Sequence, residues 1–152
     1  MRKSLLRLKQ SFVLAFAMLA AIGASAQTQI TDEAGLKAIA NDLAGSYVLT
    51  NDITLSEQWT PISTFTGTLD GAGHAIKGLR IAGGSPTGLF GETDGATIKN
   101  LRVVEAKVAD WGSSKKAGII VGWAKNNTTI EACFTSGVVE GNDHVGGITG
   151  RL

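Results

Sequence analysis

The chain has 152 residues with 14 basic and 13 acidic side chains, 43% hydrophobic residues, 20 glycines and a single cysteine. One cysteine excludes an internal disulfide framework. Two histidines 70 positions apart, without a His-Glu-x-x-His helix, exclude the usual zinc-peptidase site.

Residues 1–26 read as a secretory signal peptide. Arg2, Lys3, Arg7 and Lys9 form the basic start, Phe12 to Ile22 the apolar stretch, and Ala24-Ser25-Ala26 a small-residue cleavage site. The plain alternative is a membrane anchor, but the apolar stretch is short of the roughly 20 residues a span needs. No cysteine follows it to accept a lipid. Export places the mature chain outside the cell, at its surface or in the periplasm. Removing the leader takes four basic residues away, leaving ten against 13 acidic ones, a net charge of about −3. A mildly acidic chain without grouped Lys and Arg is not a nucleic-acid binder, and nothing after the leader predicts a membrane segment. The remaining residues suffice for one domain with a core of its own.

Residues 27–45 predict a helix that caps the fold. Thr31 or Asp32 can cap its start, and Asp32 and Glu33 occupy the first turn, where the helix dipole favours negative charge. Leu36, Ile39, Ala40 and Leu43 make one apolar stripe, and Gly45 ends it. From residue 46 to 152 the texture changes to short β-type runs punctuated by Gly, Asn, Asp and Ser, which predicts an all-β architecture. Within it Gly88-Leu89-Phe90-Gly91 returns in degraded form as Ile119-Ile120-Val121-Gly122 and Gly147-Ile148-Thr149-Gly150. Closing glycines 31 and then 28 positions apart indicate a stacked, solenoid-like array of parallel strands. On this reading Leu89, Phe90, Ile120 and Ile148 fill the core, Val121 belongs to the same repeat, and Gly91, Gly122 and Gly150 are the corners. A second register is expected to stack Ile76, Ile98 and Ile130, and Leu101 over Cys133, with insertions at 83–86 and 110–116. Phe90→Asp should unfold the array and Glu92→Lys should be nearly silent.

The stretch Phe65-Thr66-Gly67-Thr68-Leu69-Asp70-Gly71-Ala72-Gly73-His74-Ala75-Ile76-Lys77-Gly78-Leu79, with Gly88 to Gly91 and Ala96 to Leu101, resembles exported bacterial surface proteins that carry the GLUG motif. These are known from Bacteroidetes and are similar to segments preceding the catalytic region of immunoglobulin A-cleaving metallopeptidases. The resemblance runs from about Ile30 to Gly150. It implies a right-handed parallel β-helix with adhesive or scaffolding roles. The second copy departs from the pattern, with Ile119 at the leading glycine position and Gly118 one place early.

Candidate chemistry is sparse. Gly71-Ala72-Gly73 lacks the third glycine and the helix of a dinucleotide site. Asp70, Asp94 and Asp143 are the acids in or beside the repeats, but Asp70-Gly71 and Asp94-Gly95 are ordinary turn pairs. No spacing here demands a cofactor or a metal. Trp111 and Trp123 are the candidate ligand-binding residues, since indole faces on a rigid scaffold suit sugar rings; Trp59, beside Thr60-Pro61-Ile62, suits the core. The expected function is a non-catalytic surface module for adhesion, binding a surface glycan or a host or matrix protein. Alternatives are a polysaccharide lyase or hydrolase, or its remnant, on the same scaffold, and a structural spacer of a longer surface protein. The sequence has no capping segment after Gly150, so self-association through the last coil is also expected.

Overall fold

The computed structural model describes residues 26–111 and 115–152. The predicted leader, apart from Ala26, lies outside these residues. In chain order the elements begin with β1 (Thr28–Ile30), helix α1 (Glu33–Ala38), β2 (Ser46–Leu49), β3 (Ile53–Thr54), β4 (Thr68–Asp70) and β5 (Ala75–Lys77). There follow β6 (Arg80–Ala82), β7 (Phe90–Asp94), β8 (Thr97–Lys99), β9 (Arg102–Asp110) and β10 (Lys116–Gly118). The last are β11 (Val121–Lys125), β12 (Thr129–Glu131), β13 (Phe134–Gly141), β14 (His144–Gly146) and β15 (Thr149–Arg151). Among the described residues the protein is all-β with one short α-helix.

Among the described residues every strand pairing is parallel, and each strand pairs with strands from earlier or later passes of the chain. One sheet has the order β1-β2-β4-β8-β12, and a second has β3-β5-β9-β13, with β6 beside the far half of β9. A third has β7-β11-β15, and β10 pairs with β14. Parallel neighbours place equivalent side chains about 4.8 Å apart, so the apolar positions form columns. Tyr47, Leu69, Ile98 and Ile130 make one column, and Ile53, Ile76 and Val103 another. Phe90 aligns with Val121 and Val121 with Thr149.

These columns confirm part of the expected register and correct the rest. Ile130 does stack on Ile98, but the residue on the other side of Ile98 is Leu69, not Ile76. Ile76 belongs to the second sheet, beside Ile53 and Val103. The apolar-x-x-apolar spacing is common to both faces, so spacing alone could not separate them.

The repeated motif also differs from expectation. Gly91, Gly122 and Gly150 lie within β7, β11 and β15 rather than at corners, and none has a positive φ. Close approach explains them instead. A Cβ on Gly122 would lie 2.5 Å from the Thr87 nitrogen and 2.8 Å from the Gly91 oxygen, and one on Gly150 would lie 2.6 Å from the Ala117 nitrogen. The irregular second copy has a simple cause. Thr87 bridges Ala117 while Phe90 pairs with Val121, so the second pass holds one more residue in this bend. Gly118 thus takes the place of Gly88 and Gly146 pairs with Gly118, whereas Gly147 sits in the bend.

True corners carry asparagine as well as glycine. Asn100 and Asn126 adopt positive φ (52° and 47°), which a short polar side chain tolerates. Each donates its side-chain amide to an aspartate of the preceding pass, Asn100 to Asp70 at 3.0 Å and Asn126 to Asp94 at 2.8 Å.

The helix is shorter than its apolar stripe. Asp32 caps α1 by accepting from the Gly35 backbone N–H at 2.8 Å, and a 3-10 turn over Ile39–Asn41 follows. Leu36 and Ile39 are buried, Leu43 is half-buried and Ala40 is exposed. Sequence reading did not anticipate β1, which lies ahead of the helix and pairs with β2. The core continues through Phe65 and Phe90, both fully buried, whose rings stack at 4.7 Å. Burying such a side chain stabilises by about 1.5–3 kcal/mol. Toward the last pass the packing opens: Phe134, Val138 and Val145 are exposed, and so is Ile148, which was expected in the core but leads into β15 at the edge of the third sheet.

Candidate functional site

Outward positions on the second sheet build an open trough of about 530 Å³ across neighbouring passes. Burial alternates along β6 and β9, with Ile81 and Val108 turned to the core and Arg80, Ala82 and Lys107 turned outward. Register then aligns these outward residues into rows. Arg80 is opposite Lys107, which is opposite Val138; Ala82 is opposite Ala109, which is opposite Glu140. Gln58 joins from the pass before, its amide donating to the Ala82 carbonyl at 3.4 Å. Two alanines give the trough its depth, because longer side chains in that row would fill it.

The electrostatics are uneven. Lys107 has no carboxylate within 4.0 Å among the described residues, and Arg80 binds only the Ser56 backbone carbonyl, at 3.0 Å. Two cations therefore stand on adjacent strands without a counter-charge. Like charges side by side on neighbouring strands destabilise a sheet.

Trp111 stands just past this row. The alternation of β9 continues through Asp110, which is buried, to Trp111, which is 64% exposed and two residues beyond Ala109 of the trough. Burial pushes the Asp110 carboxyl above its ordinary value, with Lys115 at 3.9 Å partly opposing this. Trp123 is placed differently. It lies on β11 in the third sheet, half-buried, with Lys125, Lys116 and Arg151 at 4.3, 4.6 and 5.3 Å from its ring centroid. Cation contacts of this kind contribute about 0.5–1 kcal/mol at exposed sites. The two tryptophans are not brought together, and the indole of Trp123 is already surrounded by the chain's own cations. Trp59 is buried and donates its indole N–H to the Leu89 carbonyl at 3.0 Å, consistent with its expected core position.

The acids hold the fold. Asp70 accepts from the Ala72 backbone N–H at 2.8 Å and from Asn100, and Lys99 lies 3.5 Å away. Asp143 pairs with neighbouring His144 at 2.9 Å. Among the described residues no three His, Cys, Asp or Glu side chains gather as a metal site, and no helix is long and apolar enough to cross a membrane. Cys133 is half-buried, and its burial raises the thiol above its ordinary range.

Sequence reading missed the pairing of Arg80 with Lys107 and of Ala82 with Ala109. The partners are 27 positions apart in the chain, and only the alternating Arg80-Ile81-Ala82 and Lys107-Val108-Ala109 triplets could have linked them.

No protein-family model matches the chain, and no solved structure matches it. Among curated proteins it is similar to halomucin of Haloquadratum walsbyi (strain DSM 16790 / HBSQ001), with 35% identity over 145 residues. That alignment covers 80% of this chain and 2% of halomucin, so the chain spans a small fraction of the relative it matches.

Proposed function

We propose that the chain is a non-catalytic, surface-exposed parallel β-helix module, of the kind found in GLUG-motif exported proteins, that binds glycan through the trough beside Trp111. The observation that carries this reading is the trough itself: an open channel crossing successive strands, with an exposed indole two residues past its floor. A β-helix is supported by strand orders in which each pass lies parallel to the one before. Similarity to halomucin, a haloarchaeal surface protein, supports the surface placement. A binding role is favoured over catalysis because Asp70 and Asp94 are engaged in corner clasps with Asn100 and Asn126.

The test is a glycan array probed with the chain and with Trp111→Ala, alongside a reducing-end assay on the glycans that bind. Binding lost in the variant, without turnover, is the expected result. Polysaccharide breakdown that disappears in Asp70→Asn would replace this reading with the enzymatic one. The exposed apolar side chains of the last pass, Phe134 and Ile148 among them, add a second contact to the proposal, through which copies of the chain associate edge to edge.

A further inference from the structure

The trough is wider in its chemistry than a neutral sugar needs. Its cations, Arg80 and Lys107, sit on paired strands, one strand spacing of about 4.8 Å apart at the backbone. Packing gives no reason for this, since side-by-side like charges cost stability and neither has a carboxylate partner among the described residues. An anionic ligand supplies the reason. Between the cations and Trp111 runs a floor of small apolar groups, Ala82 and Ala109 over buried Ile81 and Val108, which accommodates the C–H face of a sugar ring. The repeat of a saccharide chain is comparable to the strand spacing, so successive rings laid across the strands meet successive side chains of a row.

We propose that the trough seats an anionic saccharide chain, lying across the strands, whose successive acidic groups pair with Arg80 and Lys107. The proposal rests on the glycan-binding reading above and names its ligand class. Glu140, in the Ala82–Ala109 row one strand further on, is an acceptor for sugar hydroxyls, and its charge confines the acidic groups to the Arg80–Lys107 end. Nucleic acid fits less well, because two cations are too few to neutralise a phosphate backbone.

Titration calorimetry on the chain tests this with four probes: an oligogalacturonate of four residues, its carboxyl-reduced neutral form, a sulfated galactose oligosaccharide of equal length, and a tetra-aspartate peptide. The acidic saccharides should bind at least tenfold more tightly than the neutral one and the peptide, and the two acidic arms distinguish a carboxylate from a sulfate ligand. Lys107→Ala and Arg80→Ala should each weaken acidic-saccharide binding about tenfold, Arg80→Lys should retain most of it, and Glu140→Gln should tighten it. Circular dichroism of each variant should match the parent. Equal binding of the neutral oligosaccharide, lost on Trp111→Ala, would overturn the anionic ligand and leave the glycan reading standing. No saccharide bound here or on the array would overturn both. Equal binding of the peptide, or acidic-saccharide binding indifferent to both Arg80→Ala and Lys107→Ala, would also overturn the proposal.

Discussion

Gly122 and Gly147 look alike in the sequence, both being glycines of the recurring motif, yet the structure assigns them opposite sensitivities. A Cβ on Gly122 would meet the Thr87 nitrogen at 2.5 Å, Pro86 Cβ at 2.7 Å and the Gly91 oxygen at 2.8 Å. Two of these three atoms are backbone of the preceding pass, held by its own pairing, and cannot swing aside. A Cβ on Gly147 would meet only the Thr135 hydroxyl, at 3.9 Å, an ordinary contact. Overpacking of the first kind costs typically about 1–3 kcal/mol. Alanine at a glycine whose backbone already suits it restricts the unfolded chain and stabilises by about 0.4–1 kcal/mol. Gly122→Ala is therefore expected to lose about 2 kcal/mol and Gly147→Ala to be neutral or slightly stabilising. Urea unfolding followed by circular dichroism reads the difference: with a slope of about 1–3 kcal/mol per molar for a small domain, the Gly122 variant should unfold about 1 M earlier. Equal losses in both variants, or an unchanged midpoint for Gly122→Ala, would refute the close-approach account of these glycines.

Phe90→Asp should abolish cooperative unfolding, because the packing lost on emptying a Phe site, about 3–5 kcal/mol, is joined by the cost of a buried charge in a domain whose whole stability is about 5–15 kcal/mol; a retained thermal transition would contradict it. Glu92→Lys is not silent as the sequence suggested: Glu92 pairs with Lys125 at 2.7 Å and accepts from Thr64 at 3.2 Å, and lysine there would add a cation to those around Trp123. A loss of about 1 kcal/mol in the same urea assay is expected, and an unchanged midpoint would count against it. Acid should lower the stability of the chain between about pH 4.5 and 2. Glu33 is lowered to about 2 by the Ser56 backbone N–H, then by Lys37 and the Ser56 hydroxyl, and Asp52 is lowered to about 2 by the Ala75 N–H, then by Lys77. Lowered carboxyls stabilise fully above their unfolded values and lose that contribution as pH falls toward the folded ones. Glu33→Gln should lessen the acid sensitivity of the melting temperature, and an identical pH profile would disprove the assignment. Asp110 has the opposite sign: its raised value means a contribution present at low pH and lost as pH rises, so Asp110→Asn should raise the melting temperature at pH 7. Sedimentation should show concentration-dependent association that Phe134→Lys reduces; a monomer at all concentrations would end the edge-to-edge proposal.

By itself the sequence determined what depends on neighbours a few positions away. The all-β class follows from short apolar runs broken by turn residues, the period from the returning Gly-Leu-Phe-Gly string, and the helix start from Asp32 ahead of Glu33. Core positions such as Leu89, Phe90 and Ile120 were legible because apolar residues recur at the same place in each copy. Only the tertiary structure decided what depends on the residue one pass away, some 22 to 32 positions along the chain. It moved Ile76 to another face, inserted one residue between Ala117 and Val121, and turned three supposed corner glycines into sites of close backbone contact. The trough belongs to the same class: Gln58, Arg80, Lys107 and Val138 are distant in the chain and share no motif, and a parallel stack aligns them because register is set by the sum of all pairings in a pass rather than by any residue alone. Trp111 was visible in the sequence as a candidate ligand-binding aromatic, but Arg80 and Lys107 became neighbours of each other only on folding.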